Sequence, residues 1–140
     1  MSLENVESFR RVTAAYNARD LETFIGYHDP GVEFHSAFAG VSGVYHGHEG
    51  LRQWHRDLEE AWGGDIRTEA EAYFDLGERT LMVSVLHGRG RHSGMEVATQ
   101  DAVLMKWRDG LGVYVKAYAS KEEALTDLGL SEDSLEPIDP

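Results

Sequence analysis

Residues 51–74 have the sequence LRQWHRDLEEAWGGDIRTEAEAYF, and a change of hydrophobic period within this stretch decides the fold class. Up to residue 62 the apolar side chains recur every three to four residues, which is the spacing of one face of an amphipathic helix. After Gly63-Gly64, apolar or small side chains alternate with polar ones, which is typical of a half-buried strand. The stretch therefore predicts a helix followed by a strand.

Two shorter helices are predicted on the N-terminal side of this stretch. Apolar residues at helical spacing extend from a cap at Ser2 to about Ala18, and a second pattern begins at a cap at Asp20. Asp29-Pro30-Gly31 ends the second helix, because proline and glycine interrupt helical backbone. A strand is predicted directly afterwards, at residues 32–38, and a short second strand at Val44-Tyr45.

The C-terminal half is predicted to be an antiparallel meander. Period-two alternation continues over residues 80–91, 95–107 and 113–119, with a tight turn at Asp109-Gly110. Three helices in the N-terminal half followed by such strands predict an α+β fold, with the helices on one face of an antiparallel sheet. A sheet of this kind, when strongly bent, forms a cone with a pocket at its mouth.

The end of the chain is predicted to contain one more helix and a tail. Ser120 and Glu123 form a capping box for a short helix that ends at Gly129. Residues 131–140 are acidic and contain proline, so we expect a flexible tail there. Residues 1–130 then have the usual size of a single domain.

Composition excludes several classes of function. The 140-residue chain has a formal net charge of -12, which argues against nucleic acid and anionic membrane surfaces as partners. It contains no cysteine, so disulfides and thiolate metal sites are excluded. With no long apolar run and no signal-peptide pattern, we expect a cytoplasmic protein. His46 and His48 alone are too sparse for a metal site, and no cofactor motif is present.

Several short motifs occur in the order found in one known family. They are YNARDL at 16–21, DPGVEF at 29–34, YHGHEGL at 45–51, RDG at 108–110 and EEALTDLGL at 122–130. Together they resemble the NTF2-like superfamily, in particular its SnoaL-like and ketosteroid-isomerase-like branch, over residues 3–130. The resemblance implies a cone-shaped α+β fold (a cystatin-like roll), a ligand cavity between helices and sheet, and a homodimer formed through the sheet.

The resemblance transfers to the catalytic positions only in part. It places Val12 at the oxyanion tyrosine of ketosteroid isomerases, His35 at their basic aspartate and Val103 at their second, protonated aspartate. Asp101 lies two residues before Val103, on the same face of the predicted strand. A steroid isomerase is therefore not expected, whereas a related acid/base site with changed residues is.

Three residues are the candidates for catalysis. A histidine titrates near neutral pH, so His35 is the candidate general base, aimed into the cavity by its strand. Asp101 interrupts an apolar face and would orient His35 or act as a second acid, since a buried carboxylate needs a partner or a role. His87 is a candidate donor near the strand of Asp101. The structural alternatives are a His35 bonded to a carboxylate or a backbone carbonyl on the outer face, and an Asp101 that faces water or is bonded to an arginine such as Arg89.

The expected ligand-binding residues are mainly aromatic and aliphatic. They are Tyr16, Tyr45, Trp54, His55, Val97, Val103, Met105 and Tyr118. We expect Tyr45 and Tyr118 to lie nearest the cavity, with Tyr118 as a second polarising donor. Side chains at these spacings are also typical of an ordinary core, and His55 in particular fits a core histidine bonded to a carbonyl.

Three functions fit these features. The first is cofactor-free acid/base catalysis (an isomerase, cyclase or dehydratase) on an apolar carbonyl-bearing or polycyclic compound. The second is a protein that binds an apolar ligand without turning it over. The third is a dimeric interaction domain that uses the outer sheet face. We expect the Leu81–Val85 face with His87 to point inward, and Tyr73, Leu86 and Ala102 to lie on the outer face.

Overall fold

The computed structural model describes residues 2–38, 41–90, 92 and 94–140, without the side chains of residues 2 and 38. Within these residues the helices are α1 (Ser2–Asn17), α2 (Leu21–Gly26), α3 (Gly47–Trp62) and α4 (Lys121–Leu128). The strands are β1 (His28–Phe38), β2 (Val41–His46), β3 (Ile66–Asp75), β4 (Arg79–Arg89), β5 (Glu96–Arg108) and β6 (Leu111–Tyr118). The predicted order of elements is confirmed.

The strands form one curved open sheet in the order β2-β1-β6-β5-β4-β3, which confirms the α+β class. Neighbouring strands are antiparallel except β1 and β6, which are parallel. This exception arises because the chain passes through α3 to the far edge of the sheet and returns by the β3–β6 meander to lie beside β1.

The face of the sheet that carries the first three helices, called the inner face below, holds the larger core. Helix α1 packs on β3 and β4, and α3 packs on β1 and β2. Buried aromatic residues from helices and strands meet there: the rings of Phe9 and Tyr73 lie 5.3 Å apart, and those of Phe9 and Trp107 lie 6.3 Å apart. The prediction of three N-terminal-half helices against one face is therefore confirmed.

A second core lies on the opposite, outer face beneath α4. Leu81, Val83 and Leu104 of the sheet pack there with Leu125 of α4. The expectation that the Leu81–Val85 face points inward is wrong, because α4 buries it from the other side. Residues on both faces of the central part of β4 are thus buried.

A β-bulge in β3 changes which residues face the helices. The pairing of β3 with β4 shifts between Ala70 and Ala72, so Tyr73 points to the inner core and Phe74 to the core under α4. An extra residue in one strand moves each side chain that follows it to the face opposite the one that simple alternation predicts. Tyr73, Leu86 and Ala102 were expected on an exposed outer surface, but they are only 1%, 4% and 0% exposed and offer no docking contact.

The caps predicted at Asp20, Ser120 and Gly129 are confirmed, whereas the predicted cap at Ser2 lies outside the described side chains. The Asp20 carboxylate accepts a hydrogen bond from Thr23 N, and Ser120 Oγ accepts one from Glu123 N. Gly129 ends α4 with φ +67°, a left-handed conformation that glycine adopts without strain. Among the described helices, none combines the length and hydropathy needed to cross a bilayer.

The segment 131–140 runs back along the sheet. Residues 132–134 form a 3₁₀ turn, and Tyr73 and Ile138 exchange two backbone hydrogen bonds of 2.9 and 2.7 Å. The Ile138 side chain also packs against the inner core. The segment is thus held at Ile138, in contrast to the flexible tail that its composition suggests.

Candidate functional site

An apolar cavity lies between the inner face of the sheet and the first three helices. Its volume is about 60 Å³, counted as the space open to the centre of a water molecule; one water needs only about 10–15 Å³ on this measure. The wall residues are Phe9, Val12, Thr13, Tyr16, Phe24, His28, Phe34, Trp54, Thr68, Met82, Val103, Met105, Val115 and Ala117. The cavity is therefore larger than one water molecule, and its lining is mainly apolar.

Aromatic rings from four elements build one wall of this cavity. The Trp54 ring of α3 lies 4.7 Å from Phe34 of β1, 5.8 Å from Phe24 of α2 and 6.0 Å from Tyr16 of α1, measured between ring centroids. Trp54 Nε1 donates a 3.1 Å hydrogen bond to Ser36 Oγ. Because Trp54 is fixed on several sides, this wall is preformed.

His28 is the most deeply buried titratable group in the wall. It is 2% exposed, and its Nδ1 lies 2.8 Å from the carbonyl oxygen of Phe24. Burial lowers the pKa of His28 to about 4, because the charged ring would lose its hydration. His28 is thus neutral near pH 7.

Thr68 brings a second polar group to the wall from β3. Its backbone is held by Asn17 of α1: Asn17 Nδ2 donates to Thr68 O at 2.8 Å, and Thr68 N donates to Asn17 Oδ1 at 2.9 Å. The Thr68 hydroxyl is buried and has no hydrogen-bond partner among the described residues. Asn17, from the YNARDL motif, therefore fixes the edge strand against α1.

Asp101 lies next to the cavity wall on the inner face of β5. Its partner across the ladder is Ser84, and the next inward-facing pair along the same strands is Met82 and Val103, which both line the cavity. Asp101 itself is 6% exposed. A carboxyl group is therefore buried one row of side chains away from the lining residues.

The two oxygens of Asp101 have different surroundings. Oδ1 accepts a 2.5 Å hydrogen bond from Ser84 Oγ, whereas Oδ2 is buried without a partner among the residues described. Burial raises the pKa of Asp101 to about 6, with the Ser84 hydrogen bond acting in the opposite direction. The carboxyl group can thus gain or lose a proton near neutral pH.

Tyr16 is the wall residue that interacts electrostatically with Asp101. Burial raises the pKa of Tyr16 to about 12, the Arg19 guanidinium lowers it, and the charge of Asp101 contributes to the increase. The phenol therefore keeps its proton under ordinary conditions. A protonated hydroxyl and a titrating carboxyl group thus occupy the same region of the inner face.

His35 does not point into the cavity, so that prediction is wrong. Phe34 lines the cavity, and the next residue of a strand points to the opposite face. His35 Nε2 lies 2.5 Å from Glu33 Oε2, and its ring lies 5.0 Å from the Tyr114 ring on the outer face. His35 and Asp101 are therefore on opposite faces of the sheet and cannot pair. The outer-face alternative for His35 describes its position correctly.

His87 is also on the outer face, in contrast to the prediction. Its Nε2 lies 3.2 Å from Glu69 Oε1, at the exposed end of β3 and β4. Leu86, the preceding residue, belongs to the inner core. A proton-transfer role for His87 in the cavity is excluded by this orientation.

Four of the eight expected ligand-binding residues line the cavity. They are Tyr16, Trp54, Val103 and Met105. His55 does not line this cavity but borders a smaller one that Trp54 also lines, and its Nε2 lies 3.6 Å from Glu59 Oε1. Val97 is 36% exposed in the open part of β5, and it does not line the cavity.

The two tyrosines expected nearest the cavity are used elsewhere. Tyr45 donates a 2.6 Å hydrogen bond to Asp57 and joins β2 to α3. Tyr118 donates a 2.5 Å hydrogen bond to Asp127 and joins β6 to α4 on the outer face. Neither hydroxyl reaches the cavity, so the role of Tyr118 as a polarising donor is ruled out.

Sequence reasoning missed His28 because it precedes Asp29-Pro30-Gly31. These residues predict a turn, whereas β1 already begins at His28. One signal was available: His28 follows Phe24 by four residues, which places the two side chains close together, and their rings lie 4.8 Å apart. Thr68 was on the inward alternation of β3, but nothing distinguished it from its neighbours.

No group of three or more potential metal-ligating side chains occurs among the residues that the structure describes. His48 Nε2 donates a 2.8 Å hydrogen bond to the His28 carbonyl oxygen. His46 is the N-cap residue of α3. His48 therefore connects the start of α3 to the start of β1.

A bent sheet that encloses a small apolar cavity against helices defines a class of ligand-binding α+β domains. Residues 9–115 match the SnoaL-like domain family, and the chain belongs to this family. Its members are NTF2-like ligand-binding domains and are often isomerases or cyclases. No curated protein matches the chain.

Solved structures support the same fold. An NTF2-like protein of unknown function from Burkholderia pseudomallei K96243 is 18% identical, with a TM-score of 0.76, over 88% of this chain and 95% of the other. TerC, co-crystallised with polyporic acid, is 20% identical, with a TM-score of 0.75, over 89% and 97%.

A hypothetical protein from Catenulispora acidiphila DSM 44928 with a ketosteroid isomerase-like fold, in complex with trimethylamine, is 15% identical. Its TM-score is 0.72 over 91% of this chain and 95% of the other. At these identities the likeness shows the fold alone.

Proposed function

We propose that the domain catalyses a cofactor-free proton transfer on a small apolar carbonyl compound, with Asp101 as the acid/base group. The observation that carries this proposal is the buried Asp101 carboxyl group, whose Oδ2 has no partner among the described residues and lies one row from the cavity wall. A buried carboxylate normally has its hydrogen-bonding capacity filled, because leaving it unfilled is costly.

The surroundings of Asp101 suit a base that works near neutral pH. Its pKa, raised to about 6 by burial, is in the range in which a carboxylate both removes and returns protons effectively. Ser84 holds Oδ1 at 2.5 Å and leaves Oδ2 to react. His35 is replaced in this role because it faces away from the cavity.

The proposed step is proton abstraction next to a carbonyl group. Asp101 Oδ2 takes a proton from the carbon between the carbonyl group and a β,γ double bond. The electron pair of the broken C–H bond forms a double bond to the carbonyl carbon, and the carbonyl π pair moves to the oxygen, which gives a dienolate. Tyr16, which retains its proton and lines the cavity, donates a hydrogen bond to the enolate oxygen. Return of the proton from Asp101 to the γ carbon re-forms the carbonyl group and leaves the carbon–carbon double bond in conjugation with it, which completes the isomerisation.

The apolar lining supports a substrate of this kind. Val12, Phe34 and Val115 contribute hydrocarbon surface without charge, so a desolvated carbonyl compound is favoured over a charged metabolite. The structures of TerC with polyporic acid and of the Catenulispora protein with trimethylamine are precedents for small molecules bound by domains of this fold.

The test uses a β,γ-unsaturated cyclohexenone as the probe substrate. Conversion to the conjugated enone, followed by its ultraviolet absorbance, is measured for the wild-type protein and for Asp101→Asn, which keeps an acceptor for Ser84 but cannot titrate. We expect a loss of kcat of roughly 10²- to 10⁴-fold. Asp133→Asn, at an exposed position with the same change of charge, is the matched control and keeps wild-type activity. Equal rates in wild type and Asp101→Asn would contradict the proposal.

Binding without turnover is the second candidate function, and one observation favours it. Asp101 is not itself among the wall residues, so a ligand can fill the cavity without touching the carboxyl group. This candidate predicts that the cyclohexenone binds, as measured by calorimetry, and is recovered unchanged with no deuterium incorporated from heavy water.

A further inference from the structure

The hydrogen bond of His28 fixes which ring nitrogen carries the proton. Nδ1 lies 2.8 Å from the Phe24 carbonyl oxygen, and a carbonyl oxygen can only accept. Nδ1 must therefore be the protonated nitrogen of the neutral ring, which leaves Nε2 with a lone pair. His28 is thus held in one tautomer, with an acceptor at Nε2.

That acceptor is buried and unused in the protein itself. His28 is 2% exposed, and Nε2 has no hydrogen-bond partner among the described residues. The ring lines the cavity and is wedged between the Phe24 ring at 4.8 Å and the strand carrying Gly112. A buried acceptor of this kind weakens binding of a ligand that presents only another acceptor, because neither group is then satisfied.

The neighbouring wall residues do not supply the missing donor. Phe24, Met105 and Val115 present carbon or thioether groups. The imidazole of His48 is engaged with the backbone carbonyl of His28 through Nε2. The complement of His28 Nε2 is therefore a donor brought by the ligand.

We propose that His28 selects ligands that carry a hydroxyl group, such as a phenol or a hydroxyketone, by accepting a hydrogen bond from that hydroxyl at Nε2. As a statement about the substrate, this proposal rests on the proposed function. Selection of the hydroxyl group itself requires only that a ligand enters the cavity, and it does not depend on proton transfer by Asp101.

The test compares phenol and toluene, which differ in the hydroxyl group and have nearly the same shape. Their dissociation constants are measured by calorimetry with the full-length wild-type protein, His28→Asn and His28→Gln. Asn places its amide at the Nδ1 position and keeps the bond to Phe24 but has no group at Nε2. Gln reaches the Nε2 position with an amide oxygen and restores the acceptor.

We expect wild type and His28→Gln to prefer phenol by roughly tenfold, the effect of one hydrogen bond to a buried group. His28→Asn is expected to lose this preference. An equal preference in wild type and His28→Asn would overturn the proposal, as would no preference for phenol in wild type.

A measurement on the wild-type protein avoids any dependence on the folding of the variants. In ¹⁵N NMR spectra, phenol is expected to shift the Nε2 resonance of His28, whereas toluene leaves it in place. A resonance that phenol does not move would count against the proposal. Asp101→Asn keeps the preference for phenol while losing isomerase activity, so failure of one proposal is distinguishable from failure of the other.

Discussion

The burial of Asp101 predicts that the wild-type protein loses stability, relative to Asp101→Asn, as the pH rises. The pKa of the carboxyl group is raised from 3.8 to about 6 in the folded state, a shift of roughly two units that corresponds to about 3 kcal/mol at about 1.4 kcal/mol per unit. Because the side chain is only 6% exposed, little of this effect is screened by solvent.

The direction follows from proton binding. The folded state binds the Asp101 proton more tightly than the unfolded chain does, so the group contributes most to stability when it is protonated in both states. This contribution is fully present below about pH 4 and is lost as the pH rises through the folded-state pKa of about 6. Above that pH the folded protein must bury the charged carboxylate.

The assay is urea unfolding of wild type and Asp101→Asn, followed by tryptophan fluorescence over a series of pH values. The other carboxyl groups titrate in both proteins, and their effects cancel in the difference between the two free energies of unfolding. We expect the difference to change by about 2 kcal/mol in favour of the variant between about pH 4.5 and about pH 7.5. A difference that stays constant over this range would refute the argument, and Asp133→Asn should give that constant result.

Two further predictions follow from the positions of other residues. His35→Ala should keep isomerase activity towards the cyclohexenone and lose less than about 1 kcal/mol of stability, since its pairing with Glu33 is half-exposed on the outer face. A tenfold fall in kcat would contradict the conclusion that His35 lies outside the site. Asn17→Ala should lower the free energy of unfolding by about 2 kcal/mol, because two partly buried hydrogen bonds to the backbone of Thr68 are removed. Asn5→Ala, which removes one exposed bond to Gly77 O, is its control and should cost clearly less in the same urea measurement.

The helices were predictable from the sequence because their signals are local. The apolar spacing over residues 51–62 corresponds to α3, and the Asp20 and Ser120 caps both make the expected hydrogen bonds. A cap and its first turn lie within four residues of one another, so their geometry does not depend on the rest of the chain. The change of period after Gly63-Gly64 likewise needs no tertiary information.

The faces of the strands were less predictable, because two of them depend on distant packing. In β4 both faces are buried, one by the first three helices and the other by α4, and alternation without a polar face does not indicate which side is inner. In β3 the bulge between Ala70 and Ala72 changes which of the following side chains point to the inner face, and the residue types at the bulge do not predict it.

For a related reason, the burial of Asp101 was predictable from the sequence, whereas the orientation of His35 was not. Asp101 was identified as a carboxylate on a face that carries Val103 and Met105, and the structure buries it on that face. The alternation of residues 32–38 also places Glu33 and His35 on one side of β1, where the two side chains meet at 2.5 Å. What local sequence did not indicate is that the apolar side, with Phe34, is the one that covers the cavity.

Among the described residues the inner face has three buried polar atoms without a partner, His28 Nε2, Asp101 Oδ2 and Thr68 Oγ1, and the first two, which are acceptors, argue for a ligand with a particular distribution of groups. His28 Nε2 is an acceptor at the start of β1, and Asp101 Oδ2 is an acceptor on β5 when ionised. Each such group costs the free protein roughly 1–3 kcal/mol of stability. A purely apolar ligand would leave both costs in place, whereas a hydroxyl donor at His28 removes one of them. A hydroxyketone supplies such a donor, and the C–H bond next to its carbonyl group is the acidic bond that the proposed base requires, so one compound meets both demands.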